Sequence, residues 1–257
     1  MTALLEVEKL SKSYKKGNSL HKAVDQVSFT VNEGEIVALV GQSGSGKSTI
    51  AKLICKLTQP SSGTIMLRGR DLSSFKGAHI KELYRDVQMV FQSPQSSFNP
   101  RKTVGFSICE NMKNSGYPKK LIEKRCYELL HDCELDASFA KRYPHELSGG
   151  QCQRAAIARA LAIGPKLLIC DEATSALDAS VQSQIITLLR SLHKSHGLSY
   201  LFICHNLALV KQFCDKILVM YEGKIVEEGA ADKVLSNPQN EYTKRLIKAA
   251  TLIKAAS

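Results

Sequence analysis

Apolar and polar residues alternate in two early stretches, Leu4-Leu5-Glu6-Val7-Glu8 and Val27-Ser28-Phe29-Thr30-Val31, the period of half-buried strands. Asn32-Glu33-Gly34 is a turn signal. The five uninterrupted apolar residues that follow, Ile36-Val37-Ala38-Leu39-Val40, read as a strand covered on both faces. Past a glycine-rich run at 41–46 the pattern turns helical from Lys47 to Leu57, and Gln59-Pro60-Ser61-Ser62-Gly63 stops it. Short strands are predicted over Thr64 to Arg68 and Val87 to Phe91.

From Ser93 to about His145 the texture changes to polar turns and helical stretches such as Leu121 to His131. The earlier rhythm then returns: a helix from about Ser148 to Ala162, a strand Lys166 to Cys170, a helix Ala179 to His193, and strands Tyr200 to Cys204 and Lys216 to Tyr221. Buried strands alternating with helices predict an α/β fold, a mainly parallel sheet with helices on both faces. The organisation read here is one domain over 1–257. Its α/β core takes 1–92 and 159–257, and a mostly helical subdomain is inserted at 93–158. Near the end, Leu246, Ile247, Ala250 and Ile253 fall on one side of a helical pattern, with Lys244, Arg245, Lys248 and Lys254 interspersed. Such a stripe packs onto its own domain more readily than onto a bilayer surface.

Composition narrows the class. Of 257 residues, 44% are apolar and 23% charged, the balance of an ordinary soluble domain. No run approaches the ~20 apolar residues that span a bilayer, and the first residues lack a signal-peptide layout. Any membrane part is therefore expected from another chain. Lys and Arg outnumber Asp and Glu by 35 to 24, a charge of +11 that favours polyanions. The basic residues are scattered, with no long basic tail and no aromatic-rich RNA-reading segment, so no direct nucleic-acid partner is expected. Eight cysteines, at 55, 109, 126, 133, 152, 170, 204 and 214, show no C-x-x-C spacing. Cys170 and Cys204 sit inside apolar runs, as free thiols in a reducing compartment do, and the cytoplasm is the simplest one.

Three motifs carry chemistry. Gly41-Gln42-Ser43-Gly44-Ser45-Gly46-Lys47-Ser48-Thr49 fits G-x-x-x-x-G-K-S/T, between a buried strand and a helix, and reads as a phosphate loop. Its backbone N–H groups and the helix start favour phosphate. Lys47 is placed to reach the β- and γ-phosphates of a nucleotide, and the Ser48 hydroxyl to hold Mg²⁺. Leu167-Leu168-Ile169-Cys170-Asp171-Glu172 is an apolar strand ending in two acids, at the strand end where α/β sheets bind ligands. Asp171 is the candidate for Mg²⁺, and Glu172 for the general base that activates water. The third, Leu147-Ser148-Gly149-Gly150-Gln151, places a hydroxyl and exposed N–H groups at a helix start, a second anion-binding device. An N-capped helix with a flexible lead-in would read the same.

These motifs resemble, in content and order, the nucleotide-binding subunits of ABC transporters, and the resemblance covers nearly the whole chain. Gln92 in VFQSP, Ser175-Ala176-Leu177-Asp178 after the acid pair, and His205 after a buried strand complete the set. The resemblance implies a P-loop NTPase fold, RecA-like, with an antiparallel β subdomain and an inserted helical subdomain. It implies a head-to-tail pair of ATPase subunits, identical or paralogous, with each ATP between the phosphate loop of one and Ser148 to Gln151 of the other. By the same resemblance Tyr14 stacks on adenine, Gln92 senses Mg²⁺ or the attacking water, His205 contacts the γ-phosphate, and Asp178 crosses the dimer interface. Two positions depart from the family pattern. Asn206 stands where Asp commonly follows the histidine, and Cys152 where a longer polar residue follows the signature.

Loops outside the motifs narrow the resemblance to the oligopeptide, dipeptide and nickel importer ATPases: Val87 to Pro94 continuing into Ser97-Phe98-Asn99-Pro100-Arg101, Tyr143-Pro144-His145-Glu146, and Asn237-Pro238-Gln239-Asn240-Glu241-Tyr242-Thr243. What this implies is a peripheral subunit on the cytoplasmic face of the membrane, bound to transmembrane permease subunits and served indirectly by a solute-binding protein. With no cysteine after Cys214, a C-terminal iron–sulfur cluster is not expected. An exporter or lipid-extraction ATPase is the nearest rival. An ABC ATPase acting on ribosomes or DNA is further off, because this chain has neither a second such domain nor coiled-coil or zinc modules. A GTPase is disfavoured, since no Asn-Lys-x-Asp motif is found.

Overall fold

In the computed structural model, which describes residues 2–16, 19–175 and 177–255, the first alternating stretch extends into a long strand, β1 (Ala3–Lys16). It pairs antiparallel with β2 (Ser19–Asn32) through several register shifts. These irregularities break the two-residue period after Val7, so the sequence pattern showed only the first part of β1. Next come β3 (Ile36–Val40), α1 (Lys47–Ile54), β4 (Ser62–Leu67), β5 (Arg70–Asp71) and α2 (Ile80–Asp86). Then follow β6 (Val87–Val90), α3 (Val104–Asn114), α4 (Lys119–Asp132), α5 (Gly149–Leu161), β7 (Leu167–Asp171) and α6 (Ala179–His196). The chain closes with β8 (Ser199–Cys204), α7 (Leu207–Phe213), β9 (Lys216–Tyr221), β10 (Lys224–Ala230), α8 (Ala231–Ser236) and α9 (Glu241–Ala255).

The chain divides into two units, one holding it up to Leu83 and again from Ser199, the other running Tyr84–Leu198. The first contains an antiparallel sheet in the order β2-β1-β4-β5. It also contains β10-β9-β3-β8, in which β9, β3 and β8 are parallel and β10 is an antiparallel edge. Every residue of β3 and β8 is buried, as their apolar sequences require. Phe213 closes this core with its ring edge-on to Tyr200 and Phe202, centroids 5.5 and 5.4 Å away.

The second unit has a parallel pair, β6 and β7, and the helices α3 to α6. Helix α5 is buried nearly all round, including Gln153 and Arg154. The Arg154 guanidinium donates to Glu134 Oε2 at 2.5 Å and to the Cys133 carbonyl at 3.3 Å, which offsets the cost of burying its charge. Burial pushes the neighbouring Cys133 thiol well above its ordinary range, and Cys170 in β7 up to about 12. Parallel strands with flanking helices and a separate antiparallel sheet are the P-loop NTPase α/β architecture that the sequence led us to expect. Among the described residues no helix is long and apolar enough to cross a membrane.

Candidate functional site

In the first unit the phosphate loop leaves β3 at Val40 and enters α1 at Lys47. Two glycines are required by close approach. A Cβ at Gly41 would lie 2.1 Å from the Met220 carbonyl oxygen, and one at Gly46 would lie 2.1 Å from that of Ala23. Gly46 is also the N-cap of α1 at φ 109, a left-handed conformation that offers the helix no capping side chain. Lys47 is 4% exposed, and its Nζ donates to the carbonyls of Gly41 at 2.9 Å and Gln42 at 2.8 Å. The ammonium thus lies folded back across its own loop. Ser45 is buried and its Oγ has no hydrogen-bond partner, an arrangement that costs about 1–3 kcal/mol unless a ligand satisfies it. Gln42, Ser43 and Gly44 are exposed at the loop's crest, while Ser48 and Thr49 are half-buried in the first turn of α1. A glycine cradle, an uncapped helix start, a buried ammonium and an orphaned hydroxyl together fit a polyphosphate.

The strand register of this unit explains where His205 stands. Val40 of β3 pairs with Cys204 of the parallel β8, so Gly41 and His205 leave neighbouring strands at the same edge. His205 is exposed, which rules out the buried structural histidine as its alternative. The departure at 206 has a local use: Asn206 is the N-cap of α7, its side-chain oxygen accepting from the Ala208 N–H at 3.0 Å. Tyr14, in the β1–β2 hairpin, is 40% exposed, with the Lys12 ammonium 5.1 Å from its ring centroid. An exposed ring face is what a stacking role needs.

The second unit repeats the strand-end logic. Val90 of β6 pairs with Cys170 of β7, so Gln92 and the pair Asp171-Glu172 emerge side by side. The Gln92 side-chain amide donates to Glu172 Oε2 at 3.0 Å and to Ser175 Oγ at 3.3 Å. The Ser175 hydroxyl in turn donates to the Glu172 carbonyl at 2.9 Å. Glu172 sits at φ 49, a left-handed backbone that costs about 1–3 kcal/mol and that turns its carboxylate off the strand. Asp171 is 8% exposed at the last position of β7.

Ser148 and Gln151 form a reciprocal capping box at the start of α5. The Ser148 Oγ accepts from the Gln151 N–H at 3.3 Å, and Gln151 Oε1 accepts from the Ser148 N–H at 3.0 Å. The N-capped helix foreseen as the plain reading is thus present, and it presents Gly149 and Gly150. A Cβ at Gly150 would lie 2.8 Å from Val181 Cγ1, and one at Gly149 would lie 3.4 Å from Leu177 Cδ2. The signature glycines therefore seat the helix start against the Leu177–Val181 segment. Asp178 there is the N-cap of α6, accepting from the Val181 N–H at 2.9 Å and the Ser180 hydroxyl at 2.7 Å. The Ser180 hydroxyl first, then the backbone N–H groups, hold its carboxyl below the usual range. Of the motif 175–178, Ala176 lies outside the described residues. Cys152, the second departure, is fully buried, which raises its thiol to about 11.

Two residues to which the sequence reading gave no role hold these loops. Arg159 of α5 donates to the Ser97 carbonyl at 2.6 Å and Ser97 Oγ at 2.8 Å, with its guanidinium 4.3 Å from the Phe98 ring centroid. It ties the signature helix to the segment that follows Gln92. An arginine inside an alanine-rich apolar helix was the available signal. The other is Tyr242. Its hydroxyl accepts from the Gln42 N–H of the phosphate loop at 3.1 Å, and its buried ring lies 4.2 Å from that of Tyr221. The Asn237 to Thr243 motif prepares this contact. Glu227 accepts from the N–H groups of Gln239 at 2.7 Å and Asn240 at 3.1 Å, and Asn240 Oδ1 accepts from the Tyr242 N–H at 2.8 Å.

Two outcomes are expected of this latch. Tyr242→Phe keeps the packing and removes the acceptor, a loss of about 1 kcal/mol. Steady-state kinetics should show the KM for ATP raised about 3- to 10-fold with kcat within about twofold; an unchanged KM would leave the contact without a role in nucleotide binding. Burial alone would raise the Glu227 carboxyl, but the neighbouring donors, the N–H groups of Gln239 and Asn240 among them, and the Lys244 ammonium together outweigh it and hold the group below its ordinary value. Its stabilisation is therefore present above the unfolded carboxyl value of about 4.3 and is lost as pH falls through the lower folded value. In thermal melts Glu227→Gln should lower Tm at pH 7 and converge with the parent chain near pH 3.

Comparison with known proteins gives a consistent result. The family described as ABC transporter matches residues 24–175. The oligopeptide transport ATP-binding protein OppF of Bacillus subtilis is 43% identical over 252 residues, 97% of this chain and 83% of the relative. The protein of the same name from Salmonella typhimurium is 46% identical over 232 residues, 89% of this chain and 69% of its own length. The glutathione import ATP-binding protein GsiA of Pectobacterium atrosepticum is 45% identical over 228 residues, which are 88% of this chain and only 37% of that longer protein. Among solved structures, a dimeric ATP-binding cassette in a post-hydrolysis state with ADP and Pi superposes at a TM-score of 0.80 and 29% identity, covering 88% of this chain and 98% of its own. A Clostridium perfringens cassette, part of an ABC transporter complex, superposes at 0.83 and 28% identity over 99% of this chain and 100% of its own. With the phosphate loop, the strand-end acid pair and the signature helix all in place, the chain belongs to the ABC transporter family, as one of its ATP-binding cassettes.

Proposed function

We propose that this chain is the ATP-hydrolysing subunit of an ABC importer for peptides, catalysing ATP + water → ADP + phosphate and coupling it to uptake. The observation that carries the reading is Glu172: a carboxylate at a strand end, on a strained backbone, hydrogen-bonded by the Gln92 amide. That pair is suited to receive a proton from water and to orient it. In this reading Lys47 opposes the charge of the β- and γ-phosphates, with Gly41 to Gly46, Ser48 and Thr49 supplying hydrogen-bond donors around them. Tyr14 stacks on the adenine, and His205 contacts the γ-phosphate. The donors Ser48, Gln92 and Asp171 are all hard oxygen ligands and fit Mg²⁺, which would neutralise phosphate charge when bound.

The site is completed in a head-to-tail pair, where Ser148 to Gln151 and Asp178 of one subunit meet the nucleotide of the other. Each ATP then contacts both subunits and stabilises the closed pair over the open one. The second ATPase, identical or paralogous, and the transmembrane permease subunits are partners in this reading, and the cytoplasmic face of the membrane is the place. The peptide and glutathione transporters among its relatives favour a peptide solute over nickel.

Tagged Glu172→Gln chain, captured with ATP from solubilised native membranes, tests the assembly by mass spectrometry. Two permease subunits and a second ATPase should be recovered, and the associated solute-binding protein should bind short peptides in preference to Ni²⁺. Recovery of ribosomal proteins, repair factors or export machinery would overturn the importer and keep the ATPase.

A further inference from the structure

The second unit carries a chemical feature that ATP turnover does not use. Helices α3 and α4 present Cys109 and Cys126 to one cavity of about 330 Å³. Cys126 is 4% exposed, its sulfur 3.9 Å from the Gly105 carbonyl oxygen, whereas Cys109 is half-buried and within reach of solvent. The neighbouring Cys126 thiol first, with the Lys113 ammonium, holds the Cys109 thiol below its ordinary range against the effects of burial and Glu123. Cys126 is pushed up in return by Cys109 and by burial. The structural thiols of Cys133, Cys152 and Cys170 contrast with Cys109, since burial raises all three. Lys113, Lys119 and Lys141 line the same cavity against Glu123 alone, so its charge favours an anionic visitor.

We propose that Cys109 and Cys126 form a redox-active dithiol, in which Cys109 is the entry nucleophile for anionic low-molecular-weight disulfides and Cys126 resolves the adduct. The Cys109 thiolate attacks one sulfur of R–S–S–R, the small disulfide bond breaks, and one thiolate leaves. The cysteine is now in a mixed disulfide and no longer carries the charge that opposed ionisation of Cys126. Cys126 gives its proton to water and attacks the Cys109 sulfur, expelling the second small thiolate. Two protein thiols are oxidised and one small disulfide is reduced to two thiols. The product bond ties α3 to α4, both of which pack against the signature helix α5.

The test uses the reduced full chain and oxidised glutathione, with acid quenching, alkylation and peptide mass spectrometry over time. Cys214, also half-buried, serves as the internal reference. Cys109 should acquire glutathione about tenfold faster than Cys214, and a peptide pair joined through Cys109 and Cys126, lighter by two hydrogens, should follow. Cationic cystamine should lose most of that advantage. Cys126→Ser should stop at glutathionylated Cys109, and Cys109→Ser should leave Cys126 unmodified. Equal rates at Cys109 and Cys214 in the unaltered chain, or joining of other cysteine pairs in place of this one, would overturn the proposal without needing either variant to fold.

Discussion

Glu172→Gln retains ATP binding and loses about 10²- to 10⁴-fold in hydrolysis, the contribution expected of a positioned general base. The substitution is nearly isosteric. The oxygen of the introduced amide can still accept from the Gln92 side chain, so the strand-end geometry survives while the proton acceptor does not. In the proposed cycle hydrolysis releases the closed pair, so this variant should accumulate as an ATP-bound dimer. Size-exclusion chromatography with ATP should show the dimer, and single-turnover phosphate release should show the slow step. Ordinary turnover would remove Glu172 from the base role. Asp171→Asn is a useful contrast, since losing a proposed Mg²⁺ ligand should weaken the nucleotide's Mg²⁺ dependence as well as the rate.

Lys47→Ala should weaken ATP binding about 10- to 100-fold, corresponding to the ~1.5–3 kcal/mol of a hydrogen bond to a charged group. The structure adds a second reason. Lys47 Nζ bonds the carbonyls of Gly41 and Gln42, so the lysine also organises the loop that holds the phosphates. Its loss should cost more for ATP than for adenosine, because the ring contact proposed for Tyr14 is untouched. Fluorescent nucleotide titration with ATP, ADP and adenosine reads that graded loss. Equal affinity for ATP in both chains would undo the phosphate-loop assignment.

These predictions are linked by how the loops are held. Arg159 grips the segment after Gln92, and the signature glycines seat α5 against the Leu177–Val181 segment. Within this unit, then, Gln92, Glu172, the signature helix and Asp178 belong to one hydrogen-bonded and packed group. A shift at Gln92 has a physical route to the helix start without any long-range field.

The candidate site residues were legible in the sequence alone. The loop from Gly41 to Thr49, the acid pair after β7, Ser148 to Gln151 and His205 stand in local patterns whose spacing the backbone dictates, and the buried strands β3, β7 and β8 are short apolar runs that only a covered sheet explains. The tail motif at 237–243 was visible as a resemblance but had no stated job. Structure supplied one, because the Tyr242–Gln42 contact spans 200 positions and depends on where α9 begins. The same holds for the Gln92–Glu172 bond, which follows from the pairing of β6 with β7, and for Cys109 beside Cys126 on two helices. Helices α2, α3 and α7 and strand β10 went unread because they are short or lack a clean apolar period, and tertiary packing decides such segments. Local chemistry is written at separations of a few residues, where one backbone geometry sets the pattern. Which distant side chains meet is decided only when burial and strand register select one arrangement of the chain.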